Sequence, residues 1–354
     1  GSAGVIELQP SRFLLRELSA ITPADPLPRP RLRVAADAVA AFVGARGADF
    51  AFVENVTAGC NAVLRSLDLR AGDEILVTDL GYGAVTHAAR YAARTRDAAV
   101  RVVEVPFPGV TPASVRDTVL AAIGPRTRLV VVDHVTSSTA LILPIAEIAA
   151  GAHARGAAVL VDGAHAPGAI PLDVPAAGAD WYSANLHKWA WSPRSAGFLW
   201  TDPRHQTTTH PLTISWGLDQ GYTAEFDWVG TRDPSGYLAA PAALDFMRSL
   251  GVEAVMGYDH ALAWEAARWL TSRWAEALPC PESMVGTMAA VPLPASFGGG
   301  DETAKRLRLD LLVQDRIEAQ IHSIHDRLWV RISAQIYNEM SDIERLAHAI
   351  EARR

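Results

Sequence analysis

The chain has 354 residues, of which 49% are hydrophobic and 20% charged, and its 32 basic and 39 acidic side chains give a formal net charge of −7. That length can bury a large core divided between two domains, and the acidic balance speaks against a dedicated nucleic-acid or anionic-membrane surface. The longest apolar runs are broken by Asp or His well short of the roughly 20 residues that a bilayer span requires, so no membrane crossing is expected and a cytoplasmic location is the default.

The opening, GSAGVIELQP, has neither a basic segment nor an apolar stretch of signal-peptide length, and residues 1–30 read as an N-terminal segment packed with the smaller domain. From about residue 50 to 201, β-branched apolar runs alternate with amphipathic stretches, the pattern of a mostly parallel sheet covered by helices. Strands are predicted at 49–55, 73–79, 101–107, 127–135, 157–164, 181–185 and 196–202. Helices are predicted at 57–67, 82–95, 111–123 and 143–156. This is an α/β class fold with seven strands, and its large domain is placed at 31–244.

After Pro241 the texture changes to one long helical stretch over 243–278, which ends near Pro279, Cys280 and Pro281. A strand over 283–294, a glycine loop at 298–300, a helix over 302–314 and two further strands follow. The last helix is predicted to begin at Ser341 with Glu344 three positions on, a capping-box pattern. Residues 245–354 read as a smaller α+β domain. Cys60 and Cys280 are too few for a disulfide framework and lack the paired spacing of a zinc site, so no metal is expected; Cys60, on a buried helix, reads as a small core residue.

In open parallel sheets, ligands bind beyond the carboxyl ends of the strands. After the first strand, Thr57-Ala58-Gly59 opens a helix whose free amides and hydroxyl suit a phosphate, although a plain Thr N-cap gives the same pattern. After the second, Gly81-Tyr82-Gly83 sets an aromatic ring at a helix entrance, where it can stack on a flat heterocycle or simply pack. The fourth ends in His134 and the hydroxyl cluster Thr136, Ser137, Ser138 and Thr139, or only a polar loop.

The fifth strand ends in Asp162, with His165 three residues on. A carboxylate closing so apolar a strand needs a cation opposite it, either an arginine or a protonated pyridine nitrogen. The sixth leads to Asn185, His187 and Lys188, with Trp189 and Trp191 beyond. A lysine in apolar, aromatic surroundings has a lowered pKa and a nucleophilic amine. Asp162 and Lys188 together are what a pyridoxal phosphate enzyme needs: a lysine to form a Schiff base and an aspartate to keep the ring an electron sink.

The stretches VENVTAGCNAVLRSL, GDEILVTDLGYGAV, VDGAHAPGAIPLD, NLHKWAWSP, FDWVGTRDPS and VRISAQIYN resemble the class V aminotransferase family of fold-type I pyridoxal phosphate enzymes, and within it the isopenicillin N epimerase-like branch. The resemblance runs from about residue 10 to the C-terminus. It implies that Lys188 carries pyridoxal 5'-phosphate, Asp162 meets the pyridine nitrogen, His165 the ring hydroxyl, and Tyr82 stacks on the ring. It also implies phosphate contacts at Thr57, Ala58, Asn185 and His187, with Ser137 in the cofactor site. Gly230 and Thr231 are expected to come from a partner subunit, so that a homodimer shares its active sites. Arg331 matches the arginine that holds the substrate carboxylate.

Two departures from the family pattern stand out. The family usually carries a His-Gly-Ser-Phe-Gly-like stretch well upstream of the segment matched by LQPSRFLL, whereas the given sequence opens with GSAG only a few residues before it, and no cysteine lies between Cys280 and Arg331, where cysteine desulfurases carry one. A persulfide mechanism is therefore not expected. The expectation is an enzyme in which freed Lys188 removes the α-proton of an amino-acid substrate. Epimerisation ranks first, with Tyr82, His134 and His165 as candidates for the second acid. A β-elimination of the C–S lyase type ranks close behind it, and transamination third. A non-catalytic cofactor-binding subunit is a remote alternative. A nucleotide-binding protein is disfavoured because neither phosphate-binding glycine motif occurs.

Overall fold

A computed structural model describes residues 30–353; the expected N-terminal segment and the LQPSRFLL stretch lie outside the described residues. The predicted strands form β1 (Phe50–Val53), β2 (Glu74–Thr78), β3 (Ala99–Val103), β4 (Thr127–Asp133), β5 (Ala158–Gly163), β6 (Trp181–Asn185) and β7 (Gly197–Thr201). They build one seven-stranded sheet in the order β1-β7-β6-β5-β4-β2-β3. The pairs β2–β3, β2–β4, β4–β5 and β5–β6 are parallel, while β7 runs antiparallel to both neighbours. β5 and β6 show almost nothing but buried residues, which is why they read as unbroken apolar runs.

Helices cover both faces. Before β1 lies α1 (Arg31–Phe42), between the strands lie α2 (Val56–Ser66), α3 (Gly83–Arg94), α4 (Pro112–Ala122) and α5 (Ile145–His153), and after β7 comes the short α6 (Tyr222–Asp227). One face of the sheet packs with α1 and α5 in a cluster containing Val39, Phe52, Val132, Val161 and Phe198. The other packs with α2 and α3 around Cys60, Val63, Ala89, Val131 and Leu160. Cys60 is fully buried there, as its sequence context suggests, and burial pushes its thiol up, with Asp162 and Asp133 adding to the effect.

The single helical stretch expected over 243–278 is two helices, α7 (Ser235–Leu250) and α8 (Val252–Trp274). Gly251 separates them at φ 86°, a conformation that costs glycine nothing. Pro241 lies inside α7 rather than before it, and the start is set earlier by Asp233, whose carboxylate accepts the backbone N–H of Ser235 at 2.9 Å. Beyond α8, β8 (Met288–Pro292), β9 (Gln320–Ile324) and β10 (Arg327–Ser333) form an antiparallel sheet in the order β8-β10-β9, flanked by α9 (Asp301–Asp315) and α10 (Met340–Glu351).

One face of this small sheet joins a second core with Leu262, Leu270, Leu311 and Leu346. Its other face carries Met288, Ala290 and Trp329 into the large core. The expected cap at Ser341 is displaced by two residues: Glu339 caps α10, exchanging hydrogen bonds with Asp342, and the Ser341 hydroxyl donates to Glu339. Among the described residues, no helix is long and apolar enough to cross a membrane.

Candidate active site

The carboxyl ends of β1, β2, β4, β5 and β6 meet at one place, and the residues singled out from sequence stand around it. Asp162 closes β5 with 1% of its surface exposed. Its Oδ1 accepts the backbone N–H of Ala164 at 2.9 Å, and its Oδ2 is buried with no hydrogen-bond partner. Burial raises its pKa to about 6, against the opposing pull of the Ala164 amide and Lys188. A buried carboxylate oxygen without a donor is expensive.

The parallel register places Asp133, the last residue of β4, directly beside Asp162, on the same face at about the 4.8 Å strand spacing. Asp133 is held still higher than its ordinary value by burial first and the Asp162 charge second, while the Tyr82 amide and Lys188 oppose this. Two adjacent buried carboxyls cannot both ionise cheaply, which favours the proton on Asp133 and the charge on Asp162. Sequence reasoning passed over Asp133, although it ends an apolar strand just as Asp162 does.

Lys188 follows β6 in a loop pinned by the Ser192 N–H donating to the Leu186 carbonyl at 3.1 Å. Its Nζ lies 2.9 Å from His165 Nε2. Solvent reaches Lys188 through the mouth of the site, so it is less enclosed than its tryptophan neighbours suggested. Partial burial lowers its pKa and Arg331 adds to this, while Asp162 and Asp133 pull upward. Only Trp189 packs inward; Trp191 lies against Phe246, with ring centroids 5.5 Å apart. The other nitrogen of His165, Nδ1, accepts from the Trp189 indole at 3.1 Å.

The N-terminus of α2 is set by Asn55 rather than by Thr57. The Asn55 side chain accepts the Ala58 N–H at 3.0 Å, and Asn185 Oδ1 accepts the Val56 N–H at 3.0 Å. The Ala58 amide is therefore already engaged, which differs from its expected phosphate contact. The Thr57 amide and hydroxyl and the Asn185 NH2 group are the donors left here. His187 turns Nδ1 to the Ala196 backbone, 2.9 Å from its carbonyl, so Nε2 is its nitrogen for a ligand.

Tyr82 stands at the N-cap of α3 with 47% exposure, its backbone N–H 3.4 Å from Asp133 Oδ1. The hydroxyl cluster divides. Thr136 and Thr139 are buried and bonded to each other at 2.6 Å, as a polar loop would be, whereas the Ser137 carbonyl accepts Arg331 Nη1 at 2.7 Å. Arg331 thus reaches from β10 across to the loop after β4. Its Nε is buried without a partner, and it makes no ion pair with a described acid.

His134 is tied to Tyr182 by a 2.7 Å hydrogen bond, and burial lowers its pKa to about 4, which makes it a poor proton donor near neutrality. Thr231 is exposed and Gly230 half-buried at φ 99°, and no contact joins either to Lys188 or Asp162. A recess of about 390 Å³ lined by Arg316, Arg331, Ser333, Asn338 and Arg345 touches the site only through Arg331.

A family model described as aminotransferase class-V matches residues 31–283. The isopenicillin N epimerase of Streptomyces clavuligerus is 35% identical over 97% of this chain and 87% of its own length. The putative L-cysteine desulfhydrase 1 of Oryza sativa subsp. japonica is 32% identical over 91% of this chain and 74% of its own. Among solved structures, the apo cysteine desulfurase of Thermococcus onnurineus NA1 superposes with a TM-score of 0.75 at 18% identity, covering 97% of this chain and 91% of that one. That likeness speaks for the fold.

Proposed function

The chain belongs to the class-V aminotransferase family and is a pyridoxal 5'-phosphate-dependent enzyme, and from that premise we propose that it removes the α-proton of an amino-acid substrate and that a second group delivers a proton to the opposite face, as in an epimerase. The observation that carries a cofactor in this site is the buried, partnerless Oδ2 of Asp162, and the choice of epimerisation draws on the relative described as an isopenicillin N epimerase. That oxygen fits the protonated nitrogen of a pyridine ring, and the cofactor would relieve an otherwise uncompensated buried charge.

Residue roles follow from the same placement. Lys188 would hold the cofactor aldehyde, His165 would meet its ring hydroxyl, and Thr57, Asn185 and His187 would hold its phosphate. Bound there, the cofactor supplies an electron sink that acidifies the substrate C–H bond beside the carboxylate. Arg331 offers the substrate carboxylate a guanidinium whose plane is already fixed by the Ser137 carbonyl. The Lys188 amine, shifted towards its free form, takes the α-proton as general base. Tyr82 is our candidate for the acid on the other face, since His134 is bound to Tyr182 and His165 to Lys188 and Trp189.

A second reading, β-elimination from a cysteine-like substrate, draws on the rice relative's description as a putative L-cysteine desulfhydrase. It uses the same first step and differs in losing a leaving group at the β-carbon. Incubating the enzyme with an amino-acid panel in deuterated water separates the two. Solvent deuterium at the α-carbon with loss of chirality is expected, whereas release of pyruvate and sulfide would select elimination. Absence of α-exchange with every amino acid, despite stoichiometric cofactor, would remove both.

We further infer a homodimer with shared sites. Leu212, Ile214, Trp216 and Leu218 expose 43%, 53%, 78% and 43% of their surfaces, a run of exposed apolar side chains suited to an interface. It adjoins a recess of about 140 Å³ that Ala58 and Arg232 also line, near Thr231. Sedimentation of the wild type should give twice the chain mass, and Trp216→Glu should give the monomer with weakened cofactor binding.

A further inference from the structure

His165 is gripped at both ring nitrogens, and the two contacts constrain each other. The Trp189 indole N–H donates to Nδ1 at 3.1 Å, and Lys188 Nζ lies 2.9 Å from Nε2. An indole N–H can only donate, so Nδ1 must present its lone pair. A neutral imidazole carries one proton, and that proton therefore sits on Nε2, facing Lys188. The amine at 2.9 Å must then accept, which only its uncharged form can do.

The alternative assignment fails on geometry. An ammonium at Lys188 would need the lone pair of Nε2, and the imidazole proton would move to Nδ1, against the indole N–H. The imidazolium fails for the same reason, since its Nδ1–H would face the indole N–H, and burial first, then the Lys188 and Arg331 positions, disfavour a charged ring, while Asp162 and Asp133 act on Lys188.

Trp189 is well placed to impose this choice. Its side chain is only 8% exposed, and its carbonyl lies against Gly168, where an added Cβ would come within 2.5 Å. The Trp189 backbone is thereby held against the turn that carries His165.

We propose that Trp189 is a positioning residue that fixes His165 in the Nε2–H tautomer and thereby favours the free amine of Lys188. The same tautomer presents a donor to the cofactor's ring oxygen. The inference deepens the function proposed above and depends on it only for that consequence, because the tautomer belongs to the protein itself.

The test uses cofactor-free protein labelled with ¹⁵N-histidine, with long-range ¹H–¹⁵N correlation reporting which ring nitrogen is protonated and His165→Gln assigning the signals. Wild type should show His165 protonated at Nε2, and Trp189→Phe should lower that share at least twofold. Lys188 in this variant should also react several-fold more slowly with an amine-acylating reagent at neutral pH, read by peptide mass spectrometry. Should Trp189→Phe fail to fold, benzothienylalanine at position 189 replaces only the N–H by sulfur and must give the same result. An unchanged tautomer in either variant overturns the proposal. Failure of the α-proton exchange experiment in the cofactor-loaded wild type would instead overturn the proposed function, so the two are separable.

Discussion

Replacing Asp162 with Asn in the cofactor-free protein measures the cost of the buried charge that we propose faces the cofactor. Burial moves this carboxyl from 3.8 to about 6. A carboxyl with a raised folded pKa takes up protons on folding, so its stabilising share is whole below the unfolded value and is lost as pH rises through about 6. A shift of about two units at 1.36 kcal/mol each corresponds to roughly 3 kcal/mol, which wild type gives up over this window and the Asn variant does not.

Urea unfolding of both proteins in steps from about pH 4 to pH 8 reads the effect. The variant-minus-wild-type difference in unfolding free energy should climb by roughly 3 kcal/mol across this range. Leaving the Asn amide without a partner shifts the whole curve but not its slope. Part of the climb belongs to Asp133, whose raised pKa relaxes when its neighbour no longer ionises. The same substitution should abolish tight pyridoxal phosphate binding, so the variant gains stability near neutrality as it loses its ligand. A difference that stays flat or falls with pH would refute the reasoning.

Lys188→Ala should lower α-proton exchange by about 10³-fold or more, in line with the loss of a general base, and borohydride reduction of the wild type should fix the cofactor on Lys188; label on another lysine would reject that assignment. Arg331→Ala should raise KM for carboxylate substrates roughly tenfold or more, as loss of a charge-assisted contact does, and an unchanged KM would remove Arg331 from the site. At the opposite end of the sheet, burial works against the Asp180 carboxylate, but His205, His153 and the Val159 amide hold it down at about 2. Its contribution, about 2 kcal/mol, is present above pH 3.8 and lost as pH falls through 2. Asp180→Asn should therefore cost stability near neutrality, with a deficit that vanishes in strong acid.

The strands were legible because β4, β5 and β6 bury nearly every residue and so announce themselves as apolar runs. The helix start at Ser235 was missed because Pro241 looked like a boundary, yet a proline seven residues into a helix can be tolerated while Asp233 supplies the turn. The caps at Asn55 and Glu339 each competed with a neighbouring pattern of similar appearance, and local sequence cannot rank them.

The residues proposed to hold the cofactor, such as Asp162 and Lys188, were legible from their type and their place after strands. What sequence does not carry is who meets whom. The pairing of Asp133 with Asp162 follows from strand register, and the Trp189 contact with His165 joins residues 24 positions apart. The engagement of the Ala58 amide by Asn55 removes a donor that a motif comparison counts as free.

Arg331 also bears on selectivity. Its side chain would otherwise wander among many rotamers, worth about 2 kcal/mol of entropy, but the carbonyl of Ser137 holds one arm of the fork. An arriving carboxylate therefore meets a socket whose angle is already set. Amines or amides lacking that planar anion would leave the other arm dry and unanswered, so on the proposed role this one hydrogen bond would sort amino acids from their decarboxylated and amidated cousins before any bond is broken.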